Sequence, residues 1–103
     1  MATTPEGKVK AKVNRKLKEL GVYKFSPIGG PYSTKGVPDI ICCYQGMFIG
    51  IECKAGNGKP TELQQINLRQ IEENGGLALL VNEHNVDTLI EYIAGHRLAR
   101  QSA

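Results

Sequence analysis

The sequence predicts an α/β fold, a mixed sheet flanked by helices with elements in the order α-β-β-β-α-β-α. Three observations predict it. Two β-rich apolar runs, Ile40 to Tyr44 and Met47 to Lys54, flank Gln45-Gly46, where Gly46 permits the positive φ of a tight hairpin turn. Stretches with helical apolar spacing lie on either side of that hairpin. The run Leu77-Ala78-Leu79-Leu80-Val81, bounded by Gly and Asn, is too short for a helix and is expected to be a buried, central strand.

The first helix starts at Thr3-Thr4-Pro5-Glu6: either threonine can cap, proline suits the first turn, and Glu6 is favoured at the positive end of the dipole. Val9, Val13, Leu17 and Leu20 form its apolar stripe and Gly21 ends it. Glu6 stands seven residues before Val13, so it lies above the buried face. Val22 to Ser26 is expected to be the first strand, followed by a Gly/Pro loop from Pro27 to Gly36. In the returning strand of the hairpin, Met47, Ile49, Ile51 and Cys53 share the core face. Phe48, Gly50, Glu52 and Lys54 share the other. After the loop Ala55 to Pro60, Thr61 opens a helix carrying Leu63, Ile66, Leu68 and Ile71, with Asn74-Gly75-Gly76 as its stop. Asn85 or Asp87 opens a last helix carrying Leu89, Ile90 and Ile93. One domain, 1–103, is expected, with a core of about 5–95 and a disordered tail over 99–103.

The hairpin brings Asp39, after Pro38, alongside Glu52 and Lys54, thirteen and fifteen residues later. Two carboxylates offer hard oxygen ligands to Mg²⁺ or Mn²⁺, and a neighbouring ammonium can orient a water or neutralise charge on a phosphate. Gly50, two residues before Glu52, leaves room for close approach. Each piece also has a plainer reading: Asp39 as turn chemistry, Glu52 and Lys54 as a surface ion pair, Glu6 as a first-turn acid, and Thr61-x-x-Gln64 as a capping box.

Net charge is +3 but unevenly spread. Residues 1–35 hold eight basic against two acidic side chains, and the remainder five against eight. The basic helix can be a solvated face, or it can meet phosphate through Lys8, Lys12, Arg15 and Lys16. The loop Ser26 to Lys35, with Ser33 and Lys35 just before Asp39, is the segment expected to contact a nucleic-acid strand. Cys42, Cys43 and Cys53 fit no zinc spacing and are expected as free thiols, and His84 and His96 fit no ligand spacing. With no membrane span and no signal peptide in the sequence, a soluble, intracellular protein is expected.

Glu6, Gly36-Val37-Pro38-Asp39, Ile51-Glu52-Cys53-Lys54 and Thr61-Glu62-Leu63-Gln64 together resemble the VRR-NUC (virus-type replication-repair nuclease) branch of the PD-(D/E)xK nucleases, over residues 5–82. The resemblance implies a restriction-endonuclease-like αβββαβ core and Mg²⁺- or Mn²⁺-dependent phosphodiester hydrolysis. It implies Asp39, Glu52, Lys54 and Gln64 as catalytic residues, and Glu6, Asp39, Glu52 and the Cys53 backbone carbonyl as metal ligands. Stand-alone domains of this size resemble phage-encoded enzymes that act as homodimers on branched DNA such as four-way junctions. Leu77 to Val81 and the last helix, with Ile90 and Ile93, are candidate contact material for a second copy. The alternative is a nuclease-fold DNA-binding module without turnover.

Overall fold

A computed structural model describes residues 4–31 and 34–102. Helix α1 spans Pro5–Leu20, strand β1 Tyr23–Phe25, β2 Ile40–Tyr44 and β3 Met47–Cys53. Helix α2 spans Glu62–Glu73, strand β4 Leu77–Val81 and helix α3 Leu89–Ser102, with a 3-10 turn at Val86–Thr88 before it. The strands form one mixed sheet in the order β1-β2-β3-β4. Neighbours β1/β2 and β2/β3 are antiparallel, whereas β3/β4 is parallel, the crossover being α2.

The ends of the elements follow from local chemistry. Thr4 accepts the Gly7 N–H on its hydroxyl at 3.0 Å, Pro5 occupies the first turn, and Gly21 closes α1 with φ 84°. The β2–β3 turn places both Gln45 (φ 49°) and Gly46 (φ 85°) at positive φ, which matches the right-handed twist of the strands it joins. Strand β1 is shorter than the expected Val22 to Ser26. The Val22 N–H is taken by Leu17 O at the helix end, and Pro27 has no N–H with which to prolong the ladder.

Parity then assigns the faces. Ile40, Cys42, Met47, Ile49, Ile51, Cys53, Leu77 and Val81 pack with Val9, Val13 and Leu17 of α1 and with Leu89 and Ile93 of α3 in a single buried cluster. Helix α2 lies on the opposite face: it contributes no buried residue, and Ile71 reaches to where Gly50 has no side chain. A Cβ on Gly50 would sit 2.5 Å from Ile71 Cδ1, so the missing side chain is what lets α2 approach β3.

Three expectations change here. Strand β4 is not central but an edge strand, with Leu80 exposed. Its apolar run reflects helices on both faces of the sheet and not strands on both sides, a distinction that hydrophobicity cannot make. The tail is helical as far as Ser102: Arg97 and Arg100 donate to the Gln45 and Gly75 carbonyls and tie the last turns to the sheet. Finally Ile93, with Leu77 and Val81, belongs to the core of this chain and is closed to a second copy. Among the described residues no helix is long and apolar enough to cross a membrane.

Candidate active site

The register of the hairpin builds the site. Ile40 pairs with Ile51, so one step further along Asp39 stands opposite Glu52 at the end of the sheet, on the face carrying Gly50. The next step places Pro38 opposite Cys53. In the alternation of this ladder, Cys53 directs its N–H and C=O toward β2, whereas Lys54 N bonds to Val81 O of β4 at 2.9 Å. Proline has no N–H to offer the Cys53 carbonyl, and the Cys53 N–H bonds instead to Asp39 Oδ2 at 2.8 Å. Pro38 therefore interrupts the ladder where the acidic side chain must take its place. That is a structural reason for a Pro-Asp pair at this point.

Asp39 is held on two sides: Oδ2 by the Cys53 N–H, and Oδ1 by Lys10 Nζ at 3.5 Å. Glu52 is only 1% exposed, and among the described residues neither of its carboxyl oxygens has a hydrogen-bond partner. Lys54 Nζ lies 3.5 Å from Oε2, close enough to pair as an ion but not a well-formed hydrogen bond. Burial, then repulsion from Asp39, raises the Glu52 pKa from 4.5 to about 7, and Lys54 opposes the rise. A buried carboxylate with both oxygens unsatisfied is costly unless something cationic completes it. The donor set available there is two carboxylates and the Cys53 carbonyl, to which Pro38 can give no hydrogen bond. All are hard oxygen donors, so the residues present fit Mg²⁺ or Mn²⁺ and not a thiophilic ion.

The other expected residues fall out differently. Glu6 is half-buried on the α1 flank that also carries Lys10, and its charge reaches the Cys53 thiol. Yet among the described residues no three His, Cys, Asp or Glu side chains close into a ligand set. Gln64 is the last residue of a complete capping box: its Oε1 accepts the Thr61 N–H at 2.8 Å, and its own N–H donates to Thr61 Oγ1 at 3.2 Å. Lys12 pairs with Asp87 at 2.9 Å, and Lys16 also lowers the Asp87 pKa, so these two look toward the 3-10 turn. Lys8 and Arg15 are exposed on α1, and Lys35 is exposed in the loop before Asp39. Ser33 lies outside the described residues. The three cysteines are free, and burial pushes Cys42 up to about 11 and Cys53 to about 12, which leaves both as inert thiols.

Two contacts were not legible in the sequence reading. Lys10 is one of eight basic residues within 1–35, and the sequence gives it no place in the site. Its signal was the i, i+4 relation to Glu6, which puts both on one flank of α1. Glu83 accepts the Gly56 N–H on both carboxylate oxygens, at 3.1 and 2.9 Å, and so clasps the turn that follows Lys54. A contact spanning 27 residues leaves no local mark. Beside Asp39 opens a groove of about 660 Å³, lined by Lys10, Ile28, Lys35, Pro38 and the glycines between them.

No family model matches the chain, and no curated protein does. Among solved structures, one described as "VRR_NUC domain" superposes with a TM-score of 0.71 at 24% identity, covering 86% of this chain and 97% of that one. Another, described as "VRR_NUC domain protein", gives 0.65 at 20% identity, covering 92% and 89%. The chain has the VRR-NUC domain fold.

Proposed function

We propose that this protein is a divalent-metal-dependent DNA endonuclease acting on branched DNA. One observation carries this reading above the others. Glu52 is a buried carboxylate without a hydrogen-bond partner among the described residues, set beside Asp39 and Lys54 at the end of the sheet. A fold that needed Glu52 only for stability would satisfy or replace it, since a buried acid with unsatisfied oxygens costs a few kcal/mol even beside one ammonium.

Asp39 and Glu52, with the Cys53 carbonyl, would hold the ion, which when bound supplies Lewis acidity for a phosphate oxygen and a more acidic water. Asp39 is pre-oriented for this by the Cys53 N–H, and Glu52 by its burial on the inner strand β3. Lys54, 15% exposed and tethered to Glu52, is positioned to orient the attacking water and to neutralise charge that develops on phosphorus. The groove along Pro38 and Asp39 would receive one strand of a nucleic acid, and Lys35 and Lys10 line it. Lys8 and Arg15 extend positive charge along α1, suited to sequence-independent phosphate contact. Gln64 would serve the site through its amide nitrogen while its Oε1 keeps the capping box, and Glu6 would act through a water.

A four-way junction has two-fold symmetry, so paired cuts are simplest for an isologous homodimer. Exposed apolar surface suited to such a contact is carried by Tyr23, Phe25 and Phe48 on the sheet and by Leu80 and Tyr92 at the β4 edge. Light scattering should give twice the 11.2 kDa chain mass. A monomer would refute the dimer.

The function itself is tested on four-way junction, flap, single-stranded and linear duplex DNA, each with Mg²⁺, Mn²⁺ or EDTA. Cleavage of branched DNA with either ion and none in EDTA is the expected result. Binding without cleavage in any condition would favour a DNA-binding module without turnover.

A further inference from the structure

We propose that Lys10 is a substrate-phosphate ligand of this site, held as the counter-ion of Asp39 until a divalent cation displaces it. This rests on the metal-dependent reading above. The two oxygens of Asp39 are held by partners of different kinds. Oδ2 is bonded at 2.8 Å to the Cys53 N–H, a backbone group that cannot move away. Oδ1 has, at 3.5 Å, the end of a flexible four-carbon side chain. A cation that takes Oδ1 must displace the Lys10 ammonium.

The two lysines of the site differ in the same sense. Lys54 is 15% exposed and pairs with a carboxylate closed off from solvent, whereas the Lys10 side chain is 40% exposed and lines the groove beside Asp39. Without the ion, each carboxylate has one ammonium and the site is close to neutral. A divalent ion adds two positive charges at the point where Lys10 rests, and repulsion then favours any position of the ammonium further out. The groove is the space open to it, and that is where a phosphate would lie. Cation and DNA then assist each other through one side chain, and by linkage the assistance is reciprocal.

The test uses the full chain with Lys10→Met, which keeps the apolar stem, and Lys10→Arg, which keeps the charge. Calorimetric titration of Mn²⁺ without DNA should show Lys10→Met binding about three- to tenfold tighter than wild type, the gain from removing one positive charge near the ion. Junction DNA binding is then measured in EDTA and in Ca²⁺ over a range of salt. In EDTA, Lys10→Met and wild type should bind alike, because the ammonium is occupied by Asp39. In Ca²⁺, Lys10→Met should bind about five- to tenfold more weakly, with a log–log salt slope smaller by about one, and Lys10→Arg should restore the slope. Asp39→Asn should bind DNA more tightly than wild type in EDTA, and adding Lys10→Met should cancel that gain.

If Lys10 merely steadied Asp39, Lys10→Met would weaken Mn²⁺ binding and leave the Ca²⁺ salt slope unchanged. Either result overturns the proposal while Mn²⁺ binding and cleavage by wild type still stand. Absence of Mn²⁺ binding by wild type would instead remove the metal-dependent reading on which it rests.

Discussion

Replacing Glu52 by glutamine should stabilise the metal-free protein increasingly as pH rises, because among the described residues Glu52 is the only charged side chain that the fold buries. In the unfolded chain Glu52 ionises near 4.5, whereas in the fold, burial and the neighbouring Asp39 delay ionisation to about 7. Between those values the folded state holds the extra proton, so stability falls as pH increases; below 4.5 nothing is lost, and above about 7 the loss is complete. At about 1.4 kcal/mol per pH unit, the loss comes to about 3 kcal/mol. That is a large fraction of the roughly 5–15 kcal/mol that holds a domain of this size together. Urea unfolding of both proteins in EDTA from pH 4 to 8.5 measures it. The buried amide adds a pH-independent offset, so the quantity to follow is the change in the difference between the two curves. Saturating Mn²⁺ at pH 8 should return to wild type about 2.7 kcal/mol at one hundred times Kd, and much less to the variant. Parallel stability curves for the two proteins across this range would refute the placement of Glu52 as a buried, late-titrating acid.

Other perturbations separate the scaffold from the chemistry. Gly50→Ala should cost about 1–3 kcal/mol by overpacking, because its Cβ would meet Ile71 Cδ1 at 2.5 Å and Pro38 Cγ at 3.1 Å. Since Pro38 precedes Asp39, cleavage should fall with it, measured at a temperature where the variant is still folded. Gly36→Ala should be worse in thermal unfolding, combining φ 83° with a Cβ 2.8 Å from the Leu63 backbone. Reversing Lys8 and Arg15 to glutamate should weaken binding to all DNA sequences alike with little change in Tm, whereas reversing Lys12 also sets a like charge against Asp87 and should lower Tm. Glu83→Gln should loosen the turn after Lys54 through its two contacts with the Gly56 N–H, lowering kcat with metal affinity unchanged in calorimetry.

Local pattern and chemistry reached far into this fold. The alternation Met47, Ile49, Ile51, Cys53 against Phe48, Gly50, Glu52 named the two faces of β3, and the turn at Gln45-Gly46 set the register that brings Asp39 to Glu52. Caps at Thr4 and Thr61 and stops at Gly21 and Asn74-Gly75 mark helix ends because they satisfy or release backbone groups locally. What stayed hidden depends on partners distant in sequence. Whether Leu77 to Val81 is an edge or a centre, whether the last turns of α3 are anchored, and which of eight basic residues in the first 35 faces a carboxylate are tertiary facts. Lys10 and Lys12 differ by two residues in an evenly basic stretch, yet one meets Asp39 and the other Asp87.

In the proposed mechanism Asp39 and Glu52 together carry metal-dependent hydrolysis of DNA. Single-turnover cleavage of a four-way junction in Mn²⁺, compared between wild type and Asp39→Asn at equal bound DNA, tests it most directly. Wild type should give 5′-phosphate and 3′-hydroxyl products and none in EDTA, with a loss of at least about a thousandfold in Asp39→Asn, about 4 kcal/mol of transition-state stabilisation. Cleavage by Asp39→Asn at the wild-type rate in the same buffer would contradict it.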